Sequence, residues 1–289
     1  MSLYREFTDR AALERAYSPS SCVDDFRTIV SQYAARSAAA RQSHPPATHA
    51  YGDHPDETLD VFTPEGGAAP ALIYIHGGYW QELSKDDHSF PAPALNTAGI
   101  GYVAVNYGLA PAATLAEMIE RCRQAVAWVA ENAEKLGFDP DRLHLAGSSA
   151  GAHLAAMTAL AAPPGQLASL TLLSGVFDLR PIPLTYINDA VGLSAAEAEA
   201  LSPLLMLDSE PVNLPPTLVA VGEHETSEFK RQSAAFAAAL ADLGQKVSLR
   251  QITRRNHFDI LFDIGVPTTE LGVLMASLMA AATYSRSRE

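Results

Sequence analysis

The chain has 289 residues, with 20 Lys and Arg against 33 Asp and Glu, a net charge of −13. That balance disfavours nucleic acid and anionic membrane surfaces as partners, while 48% hydrophobic and 18% charged residues are ordinary for a compact soluble protein. The two cysteines, Cys22 and Cys122, show no C-x-x-C or metal-ligand spacing, so reduced thiols in a cytoplasmic protein are expected. The first ten residues lack the apolar core of a signal peptide. No apolar run approaches membrane-spanning length.

Residues 1 to about 50 are polar and alanine-rich, and read as an N-terminal helical extension. Asp24 or Asp25 can cap a helix to about Ala40, and Ser43-His44-Pro45-Pro46 ends it. Leu59–Pro64 is a short strand. Ala71–His76 is a continuous apolar run, the pattern of a strand buried on both faces. A helix is predicted from Asp86 to about Thr97, then a strand at Gly101–Val105. Thr114 caps a helix running to about Leu136, stopped by Gly137. Leu143–Ala146 is a strand, followed by Gly147-Ser148-Ser149-Ala150-Gly151 and an alanine-rich helix. Ser169–Leu173 is the next strand. Residues from about 175 to 215, rich in Pro, Asp and Ser, read as a cap-like insertion with one helical patch near Ala195–Leu201. Thr217–Val221 and Lys246–Ile252 are strands flanking a helix from Glu228 to Leu243, and a last helix ends near Ala282. Alternating strands and helices specify an α/β domain, a mostly parallel central sheet with helices on both faces. With no internal repeat or linker, residues 1–289 read as a single domain.

Chemistry concentrates at Gly147-x-Ser149-x-Gly151. Between a strand and a helix this pattern fits a nucleophile elbow, in which a strained turn lifts a serine above the sheet. A Cβ at either flanking position would collide with backbone, and the turn leaves the Ala150 amide free to face an oxyanion. A serine hydroxyl needs a base to take its proton and an acid to orient that base. In chain order the acid comes next and the histidine last. His257 follows the final strand and is the candidate base. The acid is expected after Thr217–Val221, where Glu225 is the first candidate and Glu223 the second. Glu228 falls at a helix start and Asp259 beside the base, so both remain weaker rivals. His76-Gly77-Gly78, at the end of an earlier strand, offers the remaining oxyanion donors.

These residues together resemble the hormone-sensitive-lipase branch of the α/β hydrolases. The extension His76-Gly77-Gly78-Tyr79-Trp80 is similar to the kynurenine formamidase (arylformamidase) group. So are Val105–Pro111, Ser174–Leu179, His224–Phe229 and His257-Phe258-Asp259. The resemblance spans roughly residue 50 to the C-terminus and implies an α/β-hydrolase fold. It implies catalytic Ser149, Glu225 and His257, with Gly77, Gly78 and Ala150 as the oxyanion hole. Glu225 stands where formamidases usually carry aspartate, and Ala152 where many relatives have glycine. The expected reaction is hydrolysis of an aryl formamide such as N-formylkynurenine, with Tyr79 and Trp80 lining an aromatic substrate pocket. A carboxylesterase for short acyl esters uses the same machinery, and a non-catalytic binding protein of the same fold is the remote alternative. No cofactor and no metal is expected: the sequence has no G-x-G-x-x-G after a strand, no Walker motif and no ligand cluster. The expected partner is a small-molecule substrate, with no nucleic acid and no membrane; a homodimer is compatible with the sequence.

Overall fold

The computed structural model describes residues 3–207 and 212–286. Its centre is an eight-stranded sheet of order β1-β2-β4-β3-β5-β6-β7-β8. The strands are β1 (Ala47–Ala50), β2 (Thr58–Phe62), β3 (Ala69–Ile75), β4 (Gly101–Val105), β5 (Phe138–Ser148), β6 (Ser169–Leu173), β7 (Thr217–His224) and β8 (Val247–Asn256). β1 and β2 pair antiparallel at one edge, and β2 meets β4 antiparallel. All other pairings are parallel. β4 and β6 are buried along their whole length, which explains their unbroken apolar runs.

The helices are α1 (Arg10–Ala16), α2 (Phe26–Ser43), α3 (Ala92–Thr97), α4 (Leu115–Asn132), α5 (Ala150–Ala161), α6 (Asn188–Val191), α7 (Ala195–Ala200), α8 (Pro203–Met206), α9 (Ser227–Asp242) and α10 (Glu270–Arg286). Both sheet faces are covered. Val126 of α4, Leu154 of α5 and Phe236 of α9 share one apolar cluster. Leu95 of α3 and Met275 of α10 belong to the other. α4 begins at the predicted cap: Thr114 and Glu117 form a reciprocal capping box. Gly137 takes the left-handed conformation that ends the following turn, at φ 80°.

Some elements depart from the sequence expectation. The helix predicted over 86–97 is split into a 3₁₀ turn, Lys85–His88, and α3. Pro91 is the reason, because the residue before a proline is pushed out of the helical region. β1 was not anticipated; its mostly exposed Ala-Thr-His-Ala carries no apolar alternation. The 175–215 stretch holds α6 and α8 and a 3₁₀ turn besides the predicted patch, which is α7. Residues 208–211 of that stretch lie outside the described residues.

α2 starts where Asp25 accepts from the Thr28 amide at 3.1 Å. Its far end is tied to the sheet by Asp60 of β2, a fully buried carboxylate. Arg41 of α2 and Lys85 both pair with it, Lys85 at 3.1 Å. Burial raises the Asp60 pKa, but hydrogen bonds from Thr48 and Arg41 and the Lys85 charge outweigh it and leave the carboxyl below its ordinary value. This cluster fixes α2 against the turn that carries His88. Among the described residues no helix is long and apolar enough to cross a membrane.

Candidate active site

The parallel strands bring the loops after β3, β5, β6, β7 and β8 to one end of the sheet. The loop after β5 is the sharpest. Ser149 stands between β5 and α5 with φ 54° and ψ −121°. Such a conformation costs a non-glycine residue about 1–3 kcal/mol and persists only where its surroundings impose it. Here the Ser149 amide donates to the Leu173 carbonyl at the end of β6, 2.8 Å away, and the Ser149 carbonyl accepts from Ala152 at 3.0 Å. A Cβ on Gly147 would overlap the Gly151 carbonyl, and one on Gly151 would overlap that of Ile75. The collision inferred from the sequence is therefore present at both flanks. Ala150 is the first residue of α5, and amides of a first helical turn have no acceptor within the helix. Its neighbour Ser148 is occupied elsewhere, hydrogen-bonded to the Tyr74 hydroxyl at 2.7 Å.

The loop after β3 presses against this elbow. A Cβ on Gly77 would lie 2.9 Å from the Ser148 carbonyl oxygen and 3.1 Å from the Ser149 Cβ. Only glycine permits that approach. Gly78 has φ 100°, and Tyr79 and Trp80 continue the turn at φ 49° and 62°. His76 is structural. Its Nδ1–H donates to the Gly77 carbonyl at 2.8 Å, and the ring stacks between Tyr107 and His88 at 4.5 and 5.5 Å. Burial, reinforced by nearby His88, pushes its pKa down to about 3, so the ring stays neutral.

The structure separates the four candidate acids. Glu225 accepts from His257 Nδ1 at 2.8 Å through Oε2. Its Oε1 accepts from the Ser174 hydroxyl and the Gly222 amide, each at 2.6 Å. The carboxylate is thus fixed from three sides, and the Nδ1–H tautomer leaves Nε2 of His257 with its lone pair. Glu223 turns the other way and accepts from the Arg254 amide at 2.7 Å. Glu228 is paired with Arg231 and with Tyr17. Asp259 accepts from the Asn256 amide at 2.7 Å and closes the turn. Sequence reasoning assigned no role to Ser174 or Gly222. Ser174 follows directly on a buried strand and has φ 51°. At Gly222 a Cβ would lie 2.6 Å from the Arg255 carbonyl.

Ser149, His257, Gly77 and Gly78 line one cavity of about 290 Å³, near the lower end of the ~300–1,000 Å³ usual for ligand pockets. Phe26, Val30 and Tyr33 of α2 line it too, as do Tyr186 and Ile187. The N-terminal extension therefore contributes wall to this cavity. Tyr79 lies on the cavity, with its hydroxyl donating to the Tyr17 carbonyl. Trp80 does not, which corrects its assignment as a substrate contact. It is fully buried and packs edge-on against His153, ring centres 5.3 Å apart. The turn that presents Tyr79 to the cavity rotates the next side chain into the core. Among the described residues no group of three or more His, Cys, Asp or Glu is placed to hold a metal ion.

Comparison with known proteins agrees with this architecture. A family model for the alpha/beta hydrolase fold matches residues 72–259. Kynurenine formamidase of Danio rerio is 35% identical over 266 residues, covering 86% of this chain and 89% of that protein. Esterase LipQ of Mycobacterium tuberculosis is 32% identical over 298 residues, covering 86% of this chain and 69% of that protein. Among solved structures, a putative thioesterase from silicibacter sp. tm1040 superposes with a TM-score of 0.80 at 24% identity, covering 90% of this chain and 97% of that one. An esterase of Pyrobaculum calidifontis gives 0.70 at 24% identity, covering 96% and 97%; at that identity both speak for the fold alone. The chain belongs to the α/β-hydrolase family, as a serine hydrolase similar to the kynurenine formamidases.

Proposed function

We propose that the chain hydrolyses an aryl formamide, such as N-formylkynurenine, to formate and the free arylamine. The observation that carries the chemistry is the 2.8 Å bond from His257 to Glu225 on the wall of the cavity that Ser149 also lines. Nε2 of His257 takes the Ser149 proton as Oγ bonds to the formyl carbon. The carbonyl oxygen becomes an anion and is received by the amides of Gly77, Gly78 and Ala150. His257 then passes its proton to the aryl nitrogen, the C–N bond breaks, and the amine leaves a formyl-serine. Water, deprotonated by His257, attacks that ester and releases formate. The substrate class rests on the 35% identity to a kynurenine formamidase over most of both chains. In the same proposal one α/β-hydrolase domain carries two covers: the N-terminal extension, which supplies Phe26, Val30 and Tyr33, and the 175–215 insertion, which supplies Tyr186 and Ile187.

One observation favours the second reading, a carboxylesterase for short acyl esters. N-formylkynurenine is an α-amino acid zwitterion; among the described residues lining the cavity Glu82 can receive its ammonium, but no Lys or Arg is there to receive its carboxylate. A carboxylate taken out of water without a cation from the protein is costly, and a neutral ester avoids that cost. Relative turnover of N-formylkynurenine and p-nitrophenyl acetate decides between them. Fast ester cleavage with negligible formate release rejects the formamidase reading.

A further inference from the structure

Three fastenings tie the N-terminal segment to the site, and each falls one residue beyond a proposed functional residue. After Glu225, the Thr226 hydroxyl donates to the Ala16 carbonyl at 2.6 Å. After His257, the Phe258 carbonyl accepts from the Tyr33 hydroxyl at 2.6 Å. After Gly78, the Tyr79 hydroxyl donates to the Tyr17 carbonyl. The segment is anchored further by Tyr17, whose hydroxyl donates to Glu228 at 2.8 Å and accepts from Gln232 at 2.9 Å. Tyr17 and Tyr33 are 1% and 2% exposed. Burial, and secondarily the neighbouring Tyr74, raises the Tyr33 pKa well above its ordinary value, so its phenol remains a donor at any working pH.

The three loops leave three different strands, β3, β7 and β8. β8 is an edge of the sheet, and among the described residues no further strand holds the loop that bears His257. The ring of Phe26 also packs on Phe258, centres 5.5 Å apart. We propose that the N-terminal segment is a clamp, in which Tyr17 and Tyr33 are positioning residues that set Glu225, His257 and the Gly77–Gly78 loop about Ser149. The proposal rests on the catalytic roles given above and is independent of which acyl group is cleaved. Misplacing a reacting group by about 1 Å lowers rates by about 10²-fold. Loss of one fastening out of three gives a smaller but measurable effect.

The test is Tyr33→Phe in the full chain, which keeps the ring packed against Phe90 and Phe262 and removes only the donor to Phe258. Tyr17→Phe is measured in parallel; it leaves the three fastenings in place but frees the stretch that carries two of their acceptors, the Ala16 and Tyr17 carbonyls, from Glu228 and Gln232. The readouts are kcat and KM with p-nitrophenyl acetate, the rate of fluorophosphonate labelling at Ser149, the pH profile of kcat/KM, and Tm. A clamp predicts kcat lower by about tenfold, labelling slowed by the same factor, KM within about twofold, and a displaced acid limb of the pH profile. Folded variants that keep wild-type kcat and labelling rate overturn it. So does a raised KM at unchanged kcat, which marks Tyr33 as wall and nothing more. If both variants lose their fold, the residues supply stability instead of position and the clamp is again rejected. Wild-type protein that does not label at Ser149 removes the serine mechanism and the clamp together, whereas labelling without formamide turnover removes the formamidase reading alone.

Discussion

Replacing Glu225 by glutamine tests the site at its most constrained point. The carboxylate receives two donors on Oε1, from Ser174 and Gly222, and one on Oε2, from His257. Glutamine has one carbonyl oxygen and one amide group that only donates. The backbone amide of Gly222 cannot become an acceptor, so the carbonyl must take the Oε1 position. The amide then faces His257 Nδ1, which has to accept. The imidazole proton moves to Nε2, and the lone pair required to deprotonate Ser149 is lost. In a serine protease the corresponding carboxylate-to-amide change lowers kcat by about 10⁴ with the geometry intact, or about 5 kcal/mol of activation free energy. We expect the same loss here, with KM little changed and Tm within a few degrees. Glu225→Asp should behave differently. The shorter side chain cannot reach Ser174, Gly222 and His257 together, and a loss of about 10–10² is expected from misplacement alone. The assay is steady-state hydrolysis of p-nitrophenyl acetate, with the ¹⁵N shifts of His257 reporting its tautomer. Glu225→Gln within tenfold of wild type, combined with a large loss in Glu223→Gln, would refute the reasoning.

Three other expectations follow from the same geometry. Gly77→Ala puts a methyl 2.9 Å from the Ser148 carbonyl oxygen and 3.1 Å from the Ser149 Cβ. Displacing the loop should lower kcat by about 10²–10³, the range for a lost oxyanion donor, with a smaller effect on KM. Trp80→Phe should leave KM within about twofold yet reduce stability by about 1–3 kcal/mol, below the ~3–5 of full truncation; a large rise in KM without a stability loss would return Trp80 to the cavity. Burial pushes His76 down to about 3 and His153 to about 4. Both have folded values below the unfolded 6.5, so the unfolded chain binds more protons across that window. Stability is therefore complete above pH 6.5 and falls as pH drops toward 4. Each group contributes a slope of about 1.36 kcal/mol per pH unit at most. A Tm independent of pH between 6.5 and 4 would contradict this.

The parts of the fold legible in the sequence are those specified by local pattern. Ile73 and Tyr74 lie in an unbroken apolar run because β3 is flanked by strands and covered on both faces. Thr114 and Gly137 mark the ends of α4 and its following turn by capping chemistry alone. Gly147 and Gly151 are legible because close backbone approach admits no other residue. The acid was readable only to a short segment. Glu223 and Glu225 lie two residues apart near the end of β7, and which one meets His257 depends on how the chain turns after His224. The contacts of Tyr17 with Glu228 and of Tyr33 with Phe258 span 211 and 225 residues, and no local pattern encodes them. Trp80 misled for a related reason. It is adjacent to a cavity residue in sequence, but successive positive φ values turn the two side chains to different environments.

The central claim is a covalent one, that Ser149 carries the acyl group between amine and water. It is tested most directly by quenching the enzyme during turnover of N-formylkynurenine and mapping the adduct by mass spectrometry. The structure predicts a formyl group that fragmentation of the peptide places on Ser149 itself and not on the adjacent Ser148, formed before steady formate release and absent in Ser149→Ala. A formyl group on Ser148, or undiminished formate release by Ser149→Ala, would contradict it.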